Sequence, residues 1–277
     1  MLWSKVIGAG GAGGAGGVVE GWNVSTAVFN QSFSVSAQSS SPLSVFFKPD
    51  GLKMYVLAID GKVYSYSLST SWDVSTATFV LSFNAGAQST YGSAIVFKPD
   101  GLKMYILDSG YATGTGYQYT LSTAWDIGTA SYDSVSFSFE AQENFSSGLY
   151  FKPDGLKMYM VGGSTDKIYS YSLSTAWDIG TAIYDGINFS VTAQEGSPRS
   201  LFFKPDGLKF YVSGGSNAVY EYDVSTGWDL SAATFVQSFS FASQDTGNHG
   251  IFFRYDGTIM YMVGFAGDSV YQYDLTA

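Results

Sequence analysis

The chain has 277 residues, of which 17% are aromatic and 13% charged, and its formal net charge is −10 at neutral pH. An aromatic-rich chain with few charges suits packed β-strands and disfavours disorder. The negative charge argues against a nucleic-acid partner and against docking on an anionic membrane, because both need basic side chains. The chain has no cysteine, which excludes disulfides and thiolate metal sites.

The chain begins with a short apolar segment followed by a run of glycine and alanine. Residues 8–17 read GAGGAGGAGG, and no Ala-x-Ala cleavage site follows, so we do not expect a standard signal peptide. No apolar run reaches the ~18–20 residues of a membrane span, so no membrane insertion is expected. We expect residues 1–20 to be an anchor and flexible spacer. Its partner-anchoring side chains are predicted to be Leu2, Trp3, Val6 and Ile7.

The rest of the chain repeats one motif five times. FKPDG occurs four times and the variant FRYDG once, with central aspartates at Asp50, Asp100, Asp154, Asp206 and Asp256. These aspartates recur every 50 to 54 residues. A period of this length with aromatic and glycine punctuation is typical of a β-propeller. The sequence therefore predicts an all-β chain in which residues 21–277 form a single propeller of five blades.

Four segments of each repeat read as strands, as the first complete repeat illustrates. Residues 44–47 precede the Pro-Asp-Gly turn and residues 52–59 follow it. Asp60-Gly61 is a hairpin signal, and the next seven residues alternate aromatic and small polar side chains, as a strand does. Residues 77–83 follow a polar connection that contains one Trp. Each repeat is thus predicted to form a four-stranded antiparallel blade.

The two ends of the repeat array are predicted to share the last blade. Residues 270–275 match the third strand of the other repeats, and the segment that starts at Trp22 resumes where they stop. Residues 28–35 would then supply the missing outer strand and close the ring. One Trp stands at the same place in each repeat and is predicted to pack between blades. These residues are Trp22, Trp72, Trp125, Trp177 and Trp228.

Two resemblances extend this interpretation. FKPDGLKMYV resembles the Pro-Asp-Gly-x-x-x-Tyr-Val repeat of YVTN-type propellers, and residues 159–177 and 211–228 resemble kelch repeats, with Gly-Gly after the second strand. The resemblance to these two kinds of repeat implies a propeller over residues 21–277. A short glycine-rich, apolar N-terminus before a regular propeller is similar in layout to bacteriophage virion appendage and decoration proteins. That resemblance implies a tail fibre, a head fibre or a capsid decoration protein.

The connections between strands fall into two groups. The Pro-Asp-Gly turns and the Trp connections hardly vary, so we expect them on one face of the disc. The other connections differ in every repeat and are expected on the opposite face, where binding usually resides. A row of residues at the start of the first strands should lie near the channel mouth there: Leu43, Ser93, Ser147, Arg199 and His249. The candidate ligand-binding residues of this face are Tyr91, Tyr111, Phe145, Arg199, Asn248 and His249.

Three classes of function remain open. The preferred one is a non-enzymatic virion component, anchored through its N-terminus to other virion proteins and presenting the variable face to a host-surface glycan or protein. A stand-alone lectin-like propeller is the alternative. Its aromatic platforms would be Tyr91, Tyr111, Phe145 and Phe265, and its polar groups Glu143, Asn144, Asp245 and Asn248. A glycoside hydrolase is the remote alternative, because the inner strands carry no carboxylate and the chain has one His. We expect no enzyme activity, no cofactor and no metal. The expected location is the virion surface, or otherwise a soluble, extracellular-facing state.

Overall fold

The computed structural model describes residues 21–110 and 114–275, except for the side chain of Asn248. Five separate four-stranded antiparallel sheets form a ring, in which the inner strand of each sheet lies beside the inner strands of its two neighbours. The prediction of a five-bladed, all-β propeller is confirmed. None of the helices in the described ranges has the length and apolar character that crossing a membrane requires.

Each blade runs from an inner strand at the central channel to an outer strand at the rim of the disc. Blade 1 contains β2 (Pro42–Phe47), β3 (Lys53–Ala58), β4 (Lys62–Leu68) and β5 (Ala77–Asn84). Blade 2 contains β6 (Gly92–Phe97), β7 (Lys103–Asp108), β8 (Thr115–Leu121) and β9 (Ala130–Ser138). Blade 3 contains β10 (Ser146–Phe151), β11 (Lys157–Gly162), β12 (Lys167–Leu173) and β13 (Ala182–Ser190). Blade 4 contains β14 (Pro198–Phe203), β15 (Lys209–Gly214), β16 (Ala218–Val224) and β17 (Ala233–Ser240). Blade 5 contains β18 (Asn248–Phe253), β19 (Ile259–Gly264), β20 (Ser269–Leu275) and β1 (Ala27–Ser34).

The first strand in sequence completes the last blade. β1 pairs antiparallel with β20, with Ala27 opposite Leu275 and Ser34 opposite Ser269. The predicted closure is therefore confirmed. It covers the outer edge of β20, so the blade does not expose an unpaired third strand to solvent.

The Pro-Asp-Gly turn of each blade is shaped by its own aspartate and by the Trp that covers it. In blade 1, the Asp50 carboxylate accepts a 3.0 Å hydrogen bond from the Leu52 N–H. Gly51 adopts a φ of +71°, and a Cβ built on it would lie 2.5 Å from the Trp72 ring. Glycine readily adopts this positive φ and has no Cβ to clash with the Trp ring, which is why it recurs in every turn.

The Trp connection of each blade also holds one turn of 3₁₀ helix. In blade 1 the Asp73 carboxylate caps this turn by accepting a 3.0 Å hydrogen bond from the Ser75 N–H. The sequence did not predict this helical turn. The five turns are Val24–Thr26, Val74–Thr76, Ile127–Thr129, Ile179–Thr181 and Leu230–Ala232.

A ring of hydrogen bonds joins each blade to the next. The buried hydroxyl of Tyr55 in β3 donates to the carbonyl oxygen of Trp125 in the next blade at 2.6 Å. The same bond occurs at all five interfaces, the other pairs being Tyr105–Trp177, Tyr159–Trp228, Tyr211–Trp22 and Tyr261–Trp72. The Trp residues therefore join neighbouring blades, as predicted, through both their rings and their carbonyl groups.

The central channel narrows between the two faces. Small side chains occupy the level where the inner strands converge, and the Ser44 hydroxyl accepts a hydrogen bond from the Ile95 N–H of the next blade. A Cβ on Gly148 would lie 2.9 Å from the Ser200 Cα. Beyond this level the rings of Phe46, Phe252, Phe202 and Tyr150 form a plug with successive centroids 5.2–5.4 Å apart.

Candidate functional site

The variable connections meet around the mouth of the central channel. We call this side of the disc the loop face, and the side with the Pro-Asp-Gly turns the turn face. A cavity of about 250 Å³, which we call the mouth cavity, lies at the centre of the loop face. The predicted row of first-strand residues lines it, together with residues of the variable loops. The lining residues are Leu43, Ile59, Tyr91, Ser93, Ser109, Phe145, Ser147, Ser197, Arg199, His249 and Phe265.

Arg199 and His249 form the polar pair of the mouth cavity. They are the second residues of the inner strands of blades 4 and 5, and the Arg199 Nη1 lies 3.1 Å from the His249 Nε2. A guanidinium is only a donor, so the Nε2 accepts this bond and the imidazole proton resides on Nδ1. Burial, and then the neighbouring Arg199 charge, lower the pKa of His249 from 6.5 to about 3. The imidazole is therefore uncharged at neutral pH.

The guanidinium of Arg199 lies in a setting that disfavours its charge. Burial lowers the pKa of Arg199, whereas the Glu195 carboxylate and Tyr91 oppose that effect. Glu195 is itself 2% exposed and accepts hydrogen bonds from the Ser197 N–H, the Ser216 N–H and the Ser216 hydroxyl. Glu195 thus attracts Arg199 while its oxygens also hold two loops.

Aromatic rings form the rim of the mouth cavity. Phe145 and Phe265 are 39% and 40% exposed, and Tyr91 is half-buried. The Phe265 ring lies 5.7 Å from the His249 ring, centroid to centroid. Exposed ring faces beside hydrogen-bonding groups can bind the apolar faces of a small polar ligand.

The serines of the lining make hydrogen bonds within the protein. The Ser93 hydroxyl contacts the carbonyl oxygens of Leu107 and Ser146 at 3.2 and 3.1 Å, and the Ser147 hydroxyl donates to the Phe145 carbonyl. Because a hydroxyl oxygen also has lone pairs, these serines offer acceptors to a ligand rather than further donors.

Buried carboxylates hold the variable loops in place. Glu143, 1% exposed, accepts hydrogen bonds from the N–H groups of Phe145, Ser164 and Thr165 at 2.8–3.1 Å. Asp245, 4% exposed, does the same for the N–H groups of Gly247, Ala266 and Gly267. Each carboxylate joins the loop before the inner strand to the loop between the second and third strands. Asp108, which ends β7, plays this part in blade 2.

This finding corrects one part of the lectin interpretation. Glu143 and Asp245 were candidates for binding a ligand, but both are buried and bonded to backbone N–H groups of their own blades. The sequence hides the pattern because the equivalent positions in the first two blades are Ser39 and Ser89. Each repeat has a Gln at the equivalent position, and in three repeats a carboxylate follows it directly, as Glu143, Glu195 and Asp245 do; this is the signal that could have revealed the pattern.

The mouth cavity brings together four of the six predicted ligand-binding residues: Tyr91, Phe145, Arg199 and His249. Tyr111 lies outside the described residues. Asn248 is described only by its backbone, which pairs with Gly264 at the start of β18. Ile59, Ser109 and Ser197 are lining residues that sequence reasoning missed. The predicted anchoring residues Leu2, Trp3, Val6 and Ile7 also lie outside the described part of the chain.

Within residues 21–110 and 114–275, no three His, Asp or Glu side chains lie together in a way that could hold a metal ion.

A smaller cavity of about 60 Å³ lies deeper in the channel, between the row of small residues and the aromatic plug. Ser44, Gly148, Ser200, Tyr150 and Tyr255 are among its lining residues. Of these two cavities of the channel, only the mouth cavity is large enough to admit a small ligand.

Comparisons with known proteins support the fold. No protein-family model and no curated protein sequence matches the chain. A crystal structure from Bacteroides uniformis, provisionally named a 6-phosphogluconolactonase, is similar with a TM-score of 0.50 and 16% identity. A protein from Lactobacillus plantarum is similar with a TM-score of 0.46 and 17% identity. In both cases the match covers 80% of this chain and 63% of the other chain, so this chain spans less than two thirds of their length.

The comparison corrects the expectation that the chain is not an enzyme. A chain of similar fold bears the name of a lactonase, so the fold does not exclude catalysis. The expectation rested on the absence of carboxylates from the inner strands and on the presence of a single His in the chain. It gave too little weight to the channel mouth, where a charged guanidinium and an uncharged imidazole lie side by side.

Proposed function

We propose that the chain is a binding propeller that takes a small saccharide, such as the end of a host-surface glycan, in its mouth cavity. The observation that carries the proposal is the convergence of the Tyr91, Phe145 and Phe265 side chains with the Arg199–His249 pair in one concave site. Aromatic faces with a few fixed polar groups are the usual chemistry of a site for a polar, ring-shaped ligand.

The rigidity of the loops supports this proposal. The loop that carries Phe145 is held by Glu143, and the loop that carries Phe265 is held by Asp245. Loops fixed before binding lose less conformational entropy when a ligand arrives, which raises affinity without new contacts. Loops that only connect strands would not need buried carboxylates.

The experiment is a binding measurement with the full chain against a panel of surface glycans. Replacing Phe145 and Phe265 together by Ala should lower the affinity of any bound glycan about tenfold or more, because both ring platforms are lost. The matched control replaces Phe79 and Phe235, which are 41% and 43% exposed on outer strands, by Ala. Absence of any bound glycan, or an equal loss in both variants, would refute the proposal.

We further propose that the propeller is carried on a bacteriophage particle and attached through residues 1–20. Support comes from the layout of the sequence and from the completeness of all five blades without those residues. Leu2, Trp3, Val6 and Ile7 would provide the apolar contacts with other virion proteins. Removal of residues 2–17 should leave thermal unfolding unchanged and prevent incorporation into particles. Particles that carry the truncated chain at normal copy number would contradict this attachment.

Hydrolysis of a sugar lactone is a second candidate. It is favoured by the name of the Bacteroides uniformis neighbour and by the Arg199 guanidinium, held by His249 in the mouth cavity, which could stabilise the negative charge that develops on a lactone carbonyl oxygen. The test is turnover of 6-phosphogluconolactone by the full chain, compared with the His249→Ala variant. Turnover that exceeds spontaneous hydrolysis and disappears in the variant would support this activity, and an equal rate in both would reject it.

A further inference from the structure

We infer that the ligand of the mouth cavity bears an anionic group, a carboxylate or a phosphate, and that Arg199 binds it. This inference rests on the proposed saccharide-binding function and adds the chemical class of the ligand. Among the described residues that line the cavity, Arg199 carries the only full charge. That charge is positive in a chain whose net charge is −10.

One hydrogen-bond partner of Arg199 in the cavity, His249, leaves the guanidinium charge in effect. His249 accepts an Arg199 N–H at 3.1 Å and is uncharged at neutral pH, so it orients the guanidinium without neutralising it. A carboxylate at the same place would have formed an ion pair and cancelled the charge. His249 is therefore a positioning residue for Arg199.

Glu195 is the carboxylate that could compete with a ligand. It attracts Arg199, but it also accepts hydrogen bonds from two backbone N–H groups and one hydroxyl of the surrounding loops. Those donors already stabilise its negative charge. A ligand anion could therefore pair with Arg199 while Glu195 keeps the hydrogen bonds that hold the loops.

The surroundings strengthen an ion pair at this site. Leu43, Ile59 and the two rim phenylalanines supply an apolar lining, and a charge pair is worth more where water is partly excluded. A guanidinium also presents planar N–H donors that match the two oxygens of a carboxylate or a phosphate. A volume of about 250 Å³ suits a ligand no larger than a single sugar unit.

The test compares three sugars that share one ring and differ at carbon 6: glucose, glucuronate and glucose 6-phosphate. Binding to the full chain is measured by calorimetry at low and at physiological salt. We expect the two charged sugars to bind at least tenfold more tightly than glucose, with a preference that falls as salt rises. Tighter binding of glucuronate would identify the ligand group as a carboxylate, and tighter binding of glucose 6-phosphate would identify it as a phosphate.

Substitutions identify the residue that causes the preference for charged sugars over glucose. Arg199→Gln should abolish this preference, so that glucose and the two charged sugars bind the variant with equal affinity. Arg254→Gln, which removes a positive charge beside Asp256 on the turn face, should not change it. His249→Leu should weaken the preference, whereas His249→Gln, whose amide oxygen still accepts the Arg199 N–H, should restore it. That rescue separates positioning from a merely structural role.

The outcomes also separate this inference from the proposed function. Equal binding of glucose and the charged sugars would overturn the inference and leave saccharide binding intact. A preference that persists in Arg199→Gln would assign the anion to another residue and overturn it too. Failure of all three sugars and of every glycan on the panel would overturn both.

Discussion

The Tyr211 hydroxyl donates a 2.6 Å hydrogen bond to the carbonyl oxygen of Trp22, 189 residues earlier in the chain. Tyr211 belongs to blade 4, and Trp22 leads into the strand that completes blade 5. The bond is buried, and the Trp22 ring also stacks with Tyr211 at a centroid distance of 6.3 Å. This contact therefore fixes the closing segment to the rest of the ring, in addition to the β1–β20 pairing.

We predict that Tyr211→Phe destabilises the whole ring. The substitution keeps the ring stacking but leaves the Trp22 carbonyl oxygen without this buried partner, which should cost about 1–3 kcal/mol of unfolding free energy. Urea denaturation measures the change. Tyr220→Phe is the control, because its hydroxyl makes only an exposed 3.1 Å contact with Ser216 and its loss should cost about 0.5 kcal/mol or less. Equal losses in both variants would contradict the closure role.

We predict that Gly51→Ala is more damaging than Gly186→Ala, although both glycines have a φ above +70°. A Cβ on Gly51 would meet the Trp72 ring at 2.5 Å, whereas nothing lies within 4 Å of a Cβ on Gly186. Gly186→Ala should therefore cost about 1 kcal/mol of backbone strain alone, and Gly51→Ala should cost about 2 kcal/mol more. Thermal unfolding measures both. Similar losses would mean that Trp72 moves aside without cost.

Much of this fold could be predicted because each of its signals is local and is repeated. The Pro-Asp-Gly turns and the alternation of Lys62–Leu68 define strands within a single repeat. Closure by β1 followed from the order of those signals, because the segment at Trp22 continues the pattern that β20 leaves incomplete. The start of each inner strand also located Arg199 and His249 at the channel mouth.

The rest depends on how blades approach one another, which no single repeat encodes. The Tyr55–Trp125 hydrogen bond joins side chain and backbone 70 residues apart, and its donor reads in sequence as an ordinary core residue. The Arg199–His249 bond likewise requires two neighbouring strands to converge. The role of Glu143 was missed because a loop carboxylate is normally solvated, and only the folded loops reveal its backbone donors.

We predict that Glu143→Ala loosens two loops of blade 3 together. The N–H groups of Phe145, Ser164 and Thr165 would lose their acceptor in a buried setting, at a cost of about 2–4 kcal/mol. Hydrogen exchange at Ser164 and Thr165 should quicken along with the loss of stability. Glu140→Ala, three residues earlier and exposed, is the control and should change neither measurement. Unchanged exchange in Glu143→Ala would show that the loops are held by other contacts.

We predict that the stability of the protein falls as the pH drops from 6.5 towards 3, with His249 contributing to the loss. Burial and the Arg199 charge lower the pKa of His249 from 6.5 to about 3, so only the unfolded chain gains a proton on His249 in this window. Its contribution is fully present above pH 6.5 and declines as the pH falls, by about 1–2 kcal/mol at pH 5. Glu195 and Tyr91 attract the Arg199 guanidinium and so raise the pKa of Arg199, which burial lowers.

Urea denaturation of the parent chain and of His249→Gln between pH 7.5 and 4 isolates this contribution. The amide of Gln can accept the Arg199 N–H but does not titrate, so the unfolding free energy of the parent chain should fall relative to that of the variant as the pH drops. The carboxylates shared by both proteins cancel in that difference. A difference that stays constant down to pH 4 would mean that His249 protonates in the folded protein with its ordinary pKa, which its contact with Arg199 should prevent.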